Sequence, residues 1–330
     1  MKLASYKDGS RDGQLVVVSR DLSQAVYASQ TANRLQQVLD DWNFFSPTLQ
    51  DLYDALNAGR ARHAFAFDPA QCMAPLPRAY QCVRTAGWPS HGELLRQSGL
   101  AAEGSLGPAF EQRAGDALLG PLDAVPGAGP GQVLDFAAGV ALFTGDIAHH
   151  SAPERALEGV RLLALCNALS LRPLAGSPAG LADAVATAFS PVAITSDELG
   201  PAWSRGRLQL ALLCSWNGRK VGSTEVGADM GLHFGQLLAL LAKSRPLRAG
   251  SILVGAPVSN AGVQKGSQQS WPQGFNSIIE KRAMETLQDG QAATEYLREG
   301  DTVRLDMQDA TGRSLFGAME LEVQALDAGA

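Results

Sequence analysis

The sequence has little of what marks the common special classes of protein. It holds four cysteines (Cys72, Cys82, Cys166 and Cys214), with no C-x-x-C pair and no histidine at zinc spacing. That pattern gives neither a disulfide scaffold nor a zinc module, and buried, reduced thiols are expected. No run of Lys and Arg offsets a net charge of -6, which argues against a nucleic-acid binder. The longest apolar stretches, such as Leu208 to Cys214 and Leu237 to Ala242, are far too short to span a bilayer. Met1 to Asp12 is polar and charged, unlike a secretory leader, so a cytoplasmic protein without membrane contact is expected. There is no G-x-S-x-G elbow and no Ser–His–Asp order. Gly127-Ala128-Gly129 lacks the Lys that a phosphate-binding loop needs. No fixed-period repeat and no low-complexity tail is visible.

What remains is a chain of 330 residues, 45% hydrophobic and 18% charged. Roughly two domains suit that length, and such a chain buries about three quarters of its unfolded surface without needing a structural metal. Residues 1–74 read as a small α+β unit. Val16-Val17-Val18 marks a strand, Gln24 to Ala28 its hairpin partner, and Leu35, Val38, Leu39 and Trp42 have helical spacing. Ser46-Pro47 reads as the N-cap and first residue of a further helix carrying Leu49, Leu52 and Leu56, with Gly59 as its stop. The prolines of Asp68 to Pro77 mark the boundary, and 75–330 is the second domain.

From Gln132 onward the pattern is mostly β. Val133 to Thr144 reads as one long strand, Asn217-Gly218 as a type I′ hairpin turn, and Val303, Leu305 and Met307 alternate with polar residues. Helices are expected at Ala152 to Val160, Gly231 to Lys243 and Ile278 to Leu287. The fold class is therefore α+β: a mixed β-roll or barrel preceded by a small α+β domain, without Rossmann alternation.

Several segments carry a family resemblance. Leu134-Asp135-Phe136-Ala137-Ala138-Gly139-Val140-Ala141 with Thr144-Gly145-Asp146 is similar to a D-F-E-x-E-V-A strand followed by a Gly-Asp turn. Asn167-Ala168-Leu169-Ser170-Leu171-Arg172 resembles N-D-x-S-x-R, and Phe189-Ser190-Pro191-Val192 resembles an F-S-P segment. Trp216-Asn217-Gly218, Leu247 to Gly255 with Val258-Ser259-Asn260, and Glu280-Lys281-Arg282 follow in the same order. Together they resemble the fumarylacetoacetate hydrolase superfamily, in its bacterial form with a small N-terminal domain.

The resemblance implies a mixed β-roll, a homodimer, and hydrolysis of a carbon–carbon bond in a small 1,3-diketo acid. It also implies Mg, Ca or Mn held by carboxylates. Two acids two residues apart on a strand share a face and can grip one hard cation. Here those acids are replaced: Ala137 and Gly139 stand at the two Glu positions, and Ala168 at the Asp position. The Lys before F-S-P becomes Ala184 or Val185, and a Thr becomes Pro257. The expectation is that the metal site is lost and that no cofactor is held.

Other groups match the family's functional positions. Glu280 stands at the water-activating Glu, His91 lies in the segment of its partner His, and Arg172 matches a substrate-contacting Arg. Asp116 is a candidate substrate-side group. Each also has a structural reading. Glu280 can be an exposed helix start and His91 a surface or core histidine, while His149-His150 lacks a third metal ligand and His233 reads as structural. Asp183 is the only acid near the missing Lys. Three functions stay open: a hydrolase or lyase with relaxed metal dependence, a non-catalytic family member, and a metal-free enzyme for another small acidic metabolite.

Overall fold

A computed structural model describes residues 1–100, 109–116, 118–173, 184–266 and 268–325. Strands Lys2–Tyr6, Gln14–Val18 and Gln24–Tyr27 form an antiparallel meander. Both of its faces are buried, which is why Val16-Val17-Val18 reads as a continuous apolar run rather than an alternation. Leu3, Leu15 and Val17 face helices α1 (Leu35–Asp40) and α2 (Trp42–Asn57), while Ala4, Val16 and Val18 face the larger core.

The start of α2 differs from expectation. The helix begins at Trp42, and Pro47 lies inside it rather than at its first position. Trp42, Phe45, Leu49, Leu52 and Leu56 continue one apolar stripe, and packing its first two aromatics offsets the hydrogen bond that Pro47 cannot donate. Gly59 ends the helical turn at φ +67°, as the sequence suggests.

The meander does not stand apart. Lys2–Tyr6 pairs with Ala193–Ile194, which joins it to a sheet of 13 strands. The sheet's middle is Val160–Pro173, paired antiparallel with Ala138–Thr144; Ser251–Gly255 follows, then Gln81–Thr85 and Phe110–Arg113. The long strand read at Val133 to Thr144 is two, Gln132–Asp135 and Ala138–Thr144, in one register against Val160–Pro173. They part at Phe136-Ala137, where Ala137 bridges Ser277 and the Ala138 N–H donates to the Asn276 carbonyl. The break is thus the docking point of another segment.

A second sheet holds five strands, including the hairpin Ala211–Trp216 and Arg219–Glu225. Its Asn217 and Gly218 sit at φ +49° and +72°, the left-handed pair of a type I′ turn. Among the described residues the other α-helices are α3 (Pro89–Gln97), α4 (Pro153–Glu158), α5 (Phe234–Leu241) and α6 (Ile278–Asp289). The sequence reading does not include α3. The architecture is α+β with mixed sheets, and among the described residues they curl without closing into a barrel. All four cysteines are buried and unpaired, and burial pushes the Cys82 thiol up to about 12.

Candidate active site

Two carboxylates organise the start of α6. Ser277 is its N-cap residue, but the Ser277 hydroxyl makes no capping bond. Asp135 accepts from the Ile278 N–H at 2.8 Å, and the other oxygen of Glu280 reaches back to the Asn276 N–H at 3.2 Å. Acids suit this end of a helix, where unpaired N–H groups and the helix dipole favour negative charge. Asn276 fixes the turn further by donating to the Thr224 hydroxyl and to the Val258 carbonyl.

Each carboxylate has one oxygen left, and each meets a side chain from another element. Glu280 Oε1 lies 2.9 Å from His91 Nδ1, and Asp135 Oδ2 accepts from Arg172 Nε at 2.6 Å. Glu280 and Asp135 are both 1% exposed, so neither is the solvated helix start that a charged Glu-Lys-Arg run suggests. His91 occupies the first turn of α3. Pro89 opens that helix, and Ser90 ties it to the Ser259 carbonyl at 2.9 Å. In the tautomer whose Nδ1–H donates to Glu280, the imidazole presents its Nε2 lone pair, the arrangement of an oriented general base.

Arg172 is brought to the same helix start, but as the brace of Asp135. Burial alone would lower its pKa; the Asp135 charge and hydrogen bond outweigh that and raise it. Asp116 is placed elsewhere. It is exposed, and lines a surface hollow of about 670 Å3 with Asp12, Arg34, Arg78 and Tyr80, a hollow that includes neither His91 nor Glu280. His149 is engaged elsewhere: its Nε2 donates to the Lys243 carbonyl at 2.9 Å, and its ring lies tilted against that of His150. His233 caps α5 by accepting from the Gln236 N–H, and burial followed by Arg207 lowers its pKa. Asp183 lies outside the described residues.

The residues present do not fit a hard divalent cation. Ala137 and Ala168 are buried in one apolar cluster with Cys166, Phe189 and Ala256, and they offer no side-chain oxygen. Gly139 is closed by backbone. A Cβ there would lie 2.0 Å from the Gly255 carbonyl oxygen and 2.8 Å from Ala256 Cβ. Among the described residues, no group of three or more His, Cys, Asp or Glu could hold a metal. Six to eight oxygen ligands for calcium, or an octahedron for magnesium, cannot be assembled from this set.

Asp135 and Asn276 are absent from the sequence-based candidates. Ser277-Ile278-Ile279-Glu280 does carry a usable signal, the S-x-x-E of a capping box.

Among the described residues, mixed sheets that stay open and a buried His–Glu pair at a helix start are the features that characterise fold and site. The chain belongs to the fumarylacetoacetate hydrolase family. The model of the fumarylacetoacetate hydrolase C-terminal domain matches residues 90–324, and that of the fumarylacetoacetase N-terminal domain 2 matches residues 1–78. No curated protein matches the chain. Solved structures share its fold. Maleylpyruvate hydrolase from Sphingobium sp. SYK-6, in complex with manganese(II) and pyruvate, is 17% identical with a TM-score of 0.66, over 98% of this chain and 99% of that one. A probable 2-hydroxyhepta-2,4-diene-1,7-dioate isomerase from Mycobacterium abscessus is 17% identical with a TM-score of 0.67, over 98% and 99%. Fumarylacetoacetate hydrolase from Exiguobacterium antarcticum is 17% identical with a TM-score of 0.60, again over 98% and 99%. Among the described residues no helix is long and apolar enough to cross a membrane.

Proposed function

We propose that this family member performs metal-independent proton transfer on a small oxo acid, with His91 as the base and Glu280 as its orienting partner. The family resemblance implies that it would work as a homodimer, and the polar N-terminus and short apolar runs suit a cytoplasmic one. The observation that carries the reading is the 2.9 Å contact between His91 Nδ1 and a carboxylate that is itself fixed by the Asn276 N–H.

In this mechanism Nε2 of His91 removes a proton from the carbon next to a carbonyl. The Glu280 carboxylate holds the ring in the productive tautomer and stabilises the imidazolium that forms. Oxygen Oε2 stays on the Asn276 N–H, so Glu280 does not swing during the transfer. Cleavage of a carbon–carbon bond leaves a localised enolate that a hard cation would ordinarily neutralise. Enolisation and isomerisation pass through an enolate as well, but the imidazolium of His91 returns the proton to it. No further group is then needed to activate water or release an acyl fragment, which favours those reactions over diketo-acid hydrolysis here.

Pyruvate, bound by the manganese-containing relative, is a suitable probe. With EDTA present in deuterated water, the chain is expected to exchange the pyruvate methyl protons, read by proton NMR. Glu280→Gln and His91→Gln should each slow this exchange by about a hundredfold or more. Equal exchange in wild type and both variants would rule out the pair as the proton-transfer device and leave a binding protein.

A further inference from the structure

The first strand buries a cation that the His91–Glu280 pair does not use. Lys2 pairs directly with Val18, so its side chain leaves the meander on the same side as Ala4 and Val16. The residue is 1% exposed, and its Nζ donates to the Leu315 carbonyl at 2.5 Å. A buried ammonium ordinarily has a carboxylate beside it. Here the neighbouring acids are already engaged. Glu198 meets the Met1 ammonium at 3.2 Å and Arg20 at 3.4 Å, and Asp197 meets the same ammonium at 3.5 Å. Asp309 pairs with Arg313 at 3.1 Å, and Asp21 accepts from the hydroxyls of Ser19 and Ser23. Among the described residues no acid forms an ion pair with Lys2.

Burial is the largest influence on this amine. Glu198 opposes it, Arg20 and Arg313 add to it, Asp21 opposes it weakly, and the pKa falls to about 8. At neutral pH an ordinary lysine is unprotonated in only about one molecule in a thousand, so Lys2 is far richer in the nucleophilic form. The side chain also lines a hollow of about 400 Å3. Apolar groups of Leu199, Ala202, Leu210 and Leu315 share its wall with Arg20 and Arg313. A side chain this covered is closed to a hydrated anion and to a modifying enzyme. A small uncharged electrophile can still reach it through an apolar wall.

We propose that Lys2 is a reversible carbon dioxide site, carbamylated on Nζ. The neutral amine attacks the carbon of CO2, one C–O π pair moves onto oxygen, and the nitrogen releases one proton to solvent. The product is the carbamate N–COO−, with no oxidant, reductant or metal required. Its nitrogen keeps one N–H, enough to hold the Leu315 carbonyl. Its carboxylate enters a hollow whose two guanidinium groups each have five N–H donors, more than Glu198 and Asp309 take up. The adduct turns a cation into an anion where the first strand, residues 197–202 and residues 309–315 meet. It is independent of the proton-transfer reading.

The test incubates the full chain with 13C-labelled bicarbonate at about pH 8, traps carbamates with triethyloxonium, and locates them by peptide mass spectrometry. Label on Lys2 Nζ is expected at more than about tenfold the level on Lys7, Lys220, Lys243 or Lys281, in line with their more exposed surroundings. Lowering the pH to about 6.5 at constant dissolved CO2 should reduce it more than about tenfold, because the amine protonates. Arg313→Gln should lower the occupancy severalfold, since it removes a cation that both disfavours the ammonium and holds the carbamate. Unfolding in urea should abolish the preference for Lys2. No label on Lys2, label no greater than on the other lysines, label on the Met1 α-amine in place of Nζ, or the same preference after unfolding would each overturn the proposal.

Discussion

Gly139→Glu is expected to unfold the roll rather than restore an acid to it. The first carbon of any side chain at 139 would lie 2.0 Å from the Gly255 carbonyl oxygen, in the strand that pairs with Ala138–Thr144. Backbone on both sides is held by the sheet, so neither partner can yield cheaply. Overpacking of this kind costs about 1–3 kcal/mol or more, and burying an unpaired carboxylate adds several further. Against a total stability of about 5–15 kcal/mol, the sum removes most of the folded population. Thermal unfolding followed by circular dichroism should show no cooperative transition, or a midpoint lowered by more than about 10 °C. Gly139→Ala separates the terms: it carries the clash without the charge and should still be clearly destabilised. A wild-type midpoint in either variant would mean that the strands part more easily than their geometry indicates.

Asp135→Ala should be the other costly change. Asp135 is 1% exposed; one of its oxygens satisfies the Ile278 N–H and the other pairs with Arg172. Its removal orphans a buried backbone donor and strips a mostly buried guanidinium of its partner, at about 3–5 kcal/mol. The loss should also reach the candidate base, because Ile278 begins the helix that presents Glu280 two residues later. Urea unfolding would give the free energies. Adding Arg172→Leu to Asp135→Ala should cost less than the two single changes summed, since the second substitution removes the uncompensated charge. Strict additivity would show that Arg172 already finds another partner and does not brace the helix.

Much of this fold was legible because it rests on local rules. The strand at Val16-Val17-Val18 with its hairpin partner, the stripe of α2 from Leu49 onward, the Asn217-Gly218 turn and α6 all follow from apolar spacing and turn chemistry. The buried strand Lys2–Tyr6, by contrast, lies in a stretch that reads as polar and charged. Pro47 misled because a helix-start rule competed with an aromatic stripe extending back to Trp42, and packing won. Helix α3 was overlooked although Trp88-Pro89 has the form of a helix entry; only nine residues follow, too few for a clear period.

The site divides the same way. His91 and Glu280 stood out through family-like segments, yet sequence alone left the exposed and the paired readings of Glu280 equally open. Burial decides between them, since it comes from α6 docking on the break at Ala137. Arg172 was expected to meet a ligand first, and its bond to Asp135 depends on two strands whose register no local pattern reveals. Asp116 was linked to the site by chain order, which carries no information about which side of the molecule a loop faces.

The central claim is that this chain keeps the family scaffold while its former ligand positions no longer bind a hard cation. Calorimetric titration of the EDTA-stripped, buffer-exchanged protein with Mn2+ tests it most directly, with Mg2+ and Ca2+ as companions. The account predicts no saturable one-site isotherm for any of the three. A stoichiometric, low-micromolar manganese site would contradict it.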